Sequence, residues 1–213
     1  EAEAVVHRLR TMEAANPELS WGDMAVLYRT NAQSRSIEES LVRWGIPYIV
    51  VGGLRFYDRR EIKDLLAYLR LLVNPADTVS LLRVINVPKR GIGKTTIQRL
   101  TDAANQLGIP LWDVVSDAEA VRSLGGRSAR GLLQFCELLH DLRRQVQEVA
   151  PSELIQQVME KSGYVSELIA EGTDEAEERR RNLQELVNAA LQYQEENEEG
   201  DLEGFLATAA LSS

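Results

Sequence analysis

The sequence predicts a mainly α chain in which a small α/β (βαβ) piece leads into an all-helical domain. Three observations predict it. Two short apolar runs rich in strand formers, Met24 to Tyr28 and Tyr48 to Val51, flank a segment of helical periodicity. Beyond residue 52 no run alternates strictly between apolar and polar, so no further strand is expected. From there on, apolar residues recur at helical spacing, punctuated by Gly108, Gly126, Gly163 and Gly172.

The elements follow in order. Val5, Leu9 and Met12 predict a helix over residues 1–15, ended by Asn16-Pro17. The run 24–28 is the first strand. Ile37, Leu41 and Trp44 predict a helix over 36–44, with Gly45 as its C′ residue. The second strand is 48–51. Strand, helix and strand in so short a span form a βαβ unit with parallel strands, which needs a larger sheet around it. Asp58-Arg59-Arg60-Glu61 then reads as a capping box with Asp58 as N-cap. Ile62, Leu65, Leu66, Leu69, Leu72 and Val73 form one face of the helix it opens, which Asn74-Pro75 stops. Further helices are expected at about 78–86, 95–107, 128–147, 152–161, 164–170, 174–194 and 202–211. The seam falls within 52–60, dividing the chain into 1–58 and 59–213. Trp21, Trp44 and Trp112 read as core residues.

Composition narrows the class. With 44% hydrophobic and 27% charged residues the chain is an ordinary globular one. No apolar run approaches the roughly 20 residues that span a bilayer, so no membrane partner is expected. The acidic start, Glu1-Ala2-Glu3-Ala4, is no signal peptide and reads as helix interior, which predicts a piece of something longer. Cys136 is the single cysteine and fits a core thiol in a cytosolic protein. His7 and His140 stand apart, so a structural metal site is not expected.

The net charge of −9 is unevenly spread. Residues 55–99 hold ten Lys/Arg against four acids, a net of +6, whereas 171–203 hold twelve acids against three arginines, a net of −9. Such a bipolar chain places one basic surface on nucleic acid and keeps an acidic face in water. The acidic stretch reads either as the solvated side of a helix or as a partner surface.

Two clusters carry chemistry. Gly91-Ile92-Gly93-Lys94-Thr95-Thr96 contains the Gly-Lys-Thr of a phosphate-binding P-loop. A P-loop also needs a glycine five positions before Gly93, where Pro88 stands, and a strand upstream, where a helix is predicted. The better reading is a helix–hairpin–helix turn over 86–96. Pro88 fixes the turn, and Gly91 and Gly93 let backbone approach a phosphate. Thr95 or Thr96 caps the next helix, whose first amides are free to meet an anion. Lys89, Arg90 and Lys94 add charge. This arrangement holds DNA backbone without reading sequence; the alternative is a glycine turn with incidental lysines. The second cluster, Tyr28-Arg29-Thr30-Asn31-Ala32-Gln33-Ser34-Arg35, leaves the C-terminal end of a strand, where α/β sheets place ligands. It is donor-rich enough for phosphate or sugar, or else caps the helix behind it.

Three segments, in order and spacing, resemble the UvrD/PcrA/Rep type of superfamily 1 DNA helicase, closest to PcrA-like enzymes. Ala25 to Arg35 is similar to a segment of the second RecA-like domain (2A). Ile46-Pro47-Tyr48 with Gly52 to Asp64 is similar to the stretch where the chain leaves that domain. Asn86 to Gly93 resembles the signature turn of the helical 2B insertion. The likeness covers about residues 20–100. It implies part of a 2A domain over 1–58 and a helical 2B insertion over 59–213, within a parent that hydrolyses ATP with Mg²⁺ and moves 3′ to 5′ along DNA. Arg29, Thr30, Asn31 and Arg35 would face the single strand. Lys89, Arg90, Gly91, Gly93, Lys94, Thr95 and Thr96 would hold the duplex. Arg59, Arg60 and Glu61 would form the hinge, with Phe56 and Tyr57 as hinge packing. The P-loop and the acidic Mg²⁺ motif of such motors are missing here. The 213-residue chain is therefore expected to need no cofactor of its own and to be inactive alone. Its expected partners are DNA, the remaining motor domains of the parent, and repair or replication proteins, in a bacterial cytoplasm at the nucleoid. The competing reading is a regulatory protein-docking module without DNA binding of its own.

Overall fold

The computed structural model describes residues 1–212. The chain is mainly helical. α1 (Ala2–Ala15) and α2 (Ser34–Arg43) pack on each other around a small core of Val6, Leu41 and Ile46. α3 (Arg60–Val73) is buried on nearly every side, as a helix apolar around most of its circumference must be. Around it stand α4 (Thr78–Val84), α8 (Ala129–Arg144), α9 (Pro151–Lys161), α11 (Asp174–Glu196) and α12 (Leu202–Leu211). α5 (Lys94–Leu107), α6 (Leu111–Ser116) and α7 (Ala118–Leu124) form a flank against α8, and α10 (Tyr164–Glu171) fills the corner between α9 and α11. The large core runs from Phe56 to Ala209, so residues before 50 and after 55 contribute to different cores.

Sequence rules explain most boundaries. Asp77, Asp117, Thr173 and Asp201 cap α4, α7, α11 and α12 through their side chains. Pro151 opens α9, where its missing N–H has no consequence. Gly108 ends α5 in the left-handed region, at φ +66. Cys136 is buried and donates its thiol proton to the Val115 carbonyl at 2.9 Å, and burial pushes its pKa up to about 12.

Several expectations are corrected. The βαβ unit does not form: among the described residues there is no strand. The runs 24–28 and 46–51 keep the period-two burial of strands, with Leu27, Ile49 and Val51 outward, but a groove of about 780 Å³ separates them. Strand pairing is a tertiary property, and two isolated runs without sheet neighbours have nothing to pair with. Asp58 is not the N-cap of α3. Its carboxylate is drawn to Arg55 and Lys63, each at 2.8 Å, and Arg59 takes the N-cap position. Trp44 is half-exposed rather than core: its indole donates to Glu3 at 3.1 Å, and the Arg10 guanidinium lies 3.9 Å above the ring. Two short helices, α6 and α7, occupy a stretch where no helix is predicted.

Candidate nucleic-acid interface

The hairpin between α4 and α5 is built from the backbone outward. The Val87–Pro88 peptide is cis, and Gly91 adopts φ +71, which a side chain would strain. The Asn86 carboxamide accepts from the amides of Arg90 (2.8 Å) and Ile92 (3.2 Å), drawing the loop round itself. Ile92 inserts into the core and anchors the tip. α5 starts at Lys94 with Gly93 at its N-cap and no side-chain cap, so its first-turn amides keep no side-chain partner from that position. The expected threonine cap is absent. Thr95 is exposed, and Thr96 is buried, where its hydroxyl meets Ser128 Oγ at 3.2 Å.

The three basic residues of the hairpin divide by role. Lys89 and Lys94 are exposed. Arg90 is folded inward: its guanidinium donates to the carbonyls of Val84 (3.2 Å), Pro88 (3.1 Å) and Ser162 (3.2 Å), and to the Tyr68 hydroxyl at 2.6 Å. It also lies 5.2 Å from the centre of the Phe135 ring. A guanidinium so occupied fixes the hairpin to the helical body and has no fork left for a phosphate.

The second cluster lies in the 3-10 turn before α2. Gln33 accepts from the amides of Arg29 (2.9 Å) and Thr30 (3.2 Å), which stiffens the loop. Arg29 projects outward. Asn31 donates to Glu178 of α11. Arg35 is buried and bonded to Glu39 (2.6 Å) and to Glu185 of α11 (2.8 Å). Burial works against its charge, but the two carboxylates outweigh that and hold its pKa above the ordinary value. The acidic helix therefore already occupies two of the four residues of this cluster.

The residues expected to form the hinge are joined by hydrogen bonds to α2 and α11. Arg59 is buried; it donates to Ser34 Oγ at 2.7 Å and to Asn182 Oδ1 at 2.9 Å. The same Asn182 side chain donates to Glu61 at 2.7 Å. Asn182 thus ties α11 to the start of α3, and Arg59 ties that start to Ser34 of α2. Arg60 is exposed and reaches Asp64 at 3.7 Å. Phe56 and Tyr57 are buried with their rings edge to face, 5.1 Å apart. Asn182, Glu178, Glu185 and Ser128 escape a reading of the sequence because each acts across more than thirty residues. Only Gly125-Gly126-Arg127-Ser128 carried a signal, a second glycine turn followed by a basic residue.

No helix among the described residues is long and apolar enough to cross a membrane, and none of their His, Cys, Asp and Glu side chains group to hold a metal ion. Comparison with known proteins places these features in a lineage. The chain is 39% identical to the ATP-dependent DNA helicase PcrA of Leuconostoc citreum over 201 residues, 92% of this chain and 27% of that protein. It is 38% identical to the proteins of that name from Staphylococcus aureus and Staphylococcus epidermidis, over 99% of this chain and 29% of theirs. It thus spans under a third of the length of the relatives it matches. All of residues 1–213 match the family described as the UvrD-like helicase C-terminal domain, and the chain belongs to that family.

Proposed function

We propose that the chain is the DNA-gripping portion of an ATP-dependent 3′–5′ DNA helicase, with residues 1–58 as part of the second motor domain and 59–213 as its helical 2B insertion. The observation that carries this reading is the 88–96 hairpin. Gly91, Gly93 and the uncapped start of α5 lie between the exposed Lys89 and Lys94, a surface suited to duplex backbone. The name shared by the relatives supports the same reading. Arg90 and Thr96 support the hairpin from inside, and Thr95 stands at its edge. Arg29 and Thr30 meet the single strand directly. Asn31 and Arg35 join them when α11 withdraws, a swing centred on Arg59, Arg60, Glu61 and Asn182. ATP and Mg²⁺ belong to the rest of the parent. The Gly91–Thr96 segment follows α4 instead of a strand and has Pro88 in place of the first glycine, so its residues do not fit a triphosphate. The chain alone neither hydrolyses ATP nor unwinds DNA, and the parent works in the cytoplasm at the nucleoid.

The test is fluorescence anisotropy of a tailed duplex across a salt series, with the chain and its Lys89→Ala/Lys94→Ala variant. Each phosphate contact contributes about 0.9 to the slope of log K against log salt, so the variant should lose affinity and about 2 units of slope. Equal binding by both proteins rejects the hairpin as the grip. A second reading, a regulatory docking module for repair or replication proteins, is favoured by one observation: the acidic face of α11 already engages Asn31 and Arg35. Partner capture abolished by charge reversal at exposed acids of 195–203, with no DNA binding, would move that reading ahead.

A further inference from the structure

We infer that Ser128 is the positioning residue of the DNA-binding hairpin, holding its backbone in shape from the neighbouring helix junction; the inference rests on the reading of 88–96 as the duplex grip. Ser128 occupies the N-cap position of α8, where a serine hydroxyl normally accepts from an amide of its own helix. It makes no such bond. Its side chain, buried with the residue 5% exposed, turns away to another part of the chain.

Proton bookkeeping fixes what it does there. A serine hydroxyl has one proton to give and two lone pairs to offer. The proton goes to the Gly91 carbonyl at 2.8 Å. Of the two atoms in the Ser128–Thr96 contact at 3.2 Å, the Thr96 hydroxyl must then be the donor. The amide of Gly93 approaches the same oxygen at 3.5 Å. One hydroxyl therefore engages both glycines of the hairpin and the first turn of α5, across 32 to 37 residues of chain. Gly91 needs this tie most, because a glycine at positive φ has no side chain to hold its conformation.

The junction is shaped to make the contact. Gly131, three residues on, presses against the Arg90 carbonyl, so α8 meets the hairpin backbone to backbone. Gly125 is equally crowded by the Val121 carbonyl, which seats the turn before Ser128. The hairpin is thus clamped between Arg90 on the inside and Ser128 on the α8 side, leaving Lys89 and Lys94 outward. Ser128 is buried and its hydroxyl is bonded to the hairpin, so it acts through the hairpin.

The experiment uses the 213-residue chain and two readouts. In Ser128→Ala, amide hydrogen exchange at the hairpin around Gly93 should accelerate about tenfold, with amides of α9 and α11 unchanged. Affinity for a mixed-sequence duplex should fall by about the same factor. In the Lys89→Ala/Lys94→Ala background, Ser128→Ala should cause little further loss, because a positioning residue has nothing left to position. Thr96→Val removes one of the three bonds and should shift both readouts in the same direction but less, which keeps the test open if Ser128→Ala folds poorly. Unchanged hairpin exchange in both variants overturns the inference, as does an affinity loss that adds in full to that of the lysine pair. If the lysine pair itself proves indifferent to DNA, the grip reading fails while the exchange measurement still decides the role of Ser128.

Discussion

Gly131, in the first turn of α8, lies so close to the backbone carbonyl of Arg90 that a Cβ built on it would stand well under 3.0 Å from that oxygen. Backbone on both sides leaves no flexible group to yield. Gly131→Ala should therefore force α8 away from the hairpin, at a cost of about 2–3 kcal/mol, the upper part of the range for overpacking. Chemical denaturation checks it. A stability within about 0.5 kcal/mol of the parent chain would mean that the junction relaxes freely.

Arg90 and its neighbour Lys89 should separate stability from binding. Arg90→Ala strips partners from the Val84, Pro88 and Ser162 carbonyls and should destabilise by roughly 3 kcal/mol. Lys89→Ala touches nothing buried. It should leave the midpoint of thermal unfolding in place, weaken duplex binding regardless of sequence, and lower the salt slope by about 1. The opposite pattern would reverse the roles assigned to the two side chains.

Much of the helical part was legible because the periodicities are long. Leu65, Leu69 and Leu72 mark α3, and Thr173 and Asp201 open α11 and α12 where capping chemistry places them. α6 and α7, of six and seven residues, were not. The strand prediction failed as well. Met24 to Tyr28 and Tyr48 to Val51 carry strand-like burial, yet a strand needs a neighbour, and propensity alone supplies none. The hairpin was legible as a turn with basic residues. Which of those residues faces outward was not, because Arg90 turns inward to carbonyls contributed by distant residues such as Ser162. The grip of α11 on Asn31, Arg35 and Arg59 lay beyond any local pattern, as its partners stand more than a hundred residues apart.

Asn182 should be the single most sensitive residue of the α2–α3–α11 seam. It is 3% exposed and serves as acceptor for Arg59 and donor to Glu61 at once. Asn182→Ala leaves both without this partner and should cost about 2–3 kcal/mol. Asn182→Asp keeps the acceptor for Arg59 but sets a second carboxylate against Glu61. It should fail to restore stability at pH 7. Urea titrations at pH 7 measure this; a fully stable aspartate variant would show that Glu61 does not depend on the amide.

Asp77 gives a pH dependence whose sign is fixed. Its carboxylate caps α4, accepting from the Ser80 amide at 3.1 Å and the Ser80 hydroxyl at 2.6 Å. Partial burial opposes ionisation, but these bonds outweigh it and hold the pKa below the ordinary aspartate value of about 3.9. A depressed folded pKa means that the unfolded chain binds the proton more readily. The stabilisation is therefore fully present above pH 4 and drains away as pH falls through the folded value. Asp77→Ala should cost about 1 kcal/mol at neutral pH, the usual effect of losing such a cap. The difference between the two proteins should shrink steadily below pH 4. Denaturation midpoints measured at pH 7, 4 and 3 test it: a gap that stays constant down to pH 3 would show that the carboxylate charge has no part in capping α4.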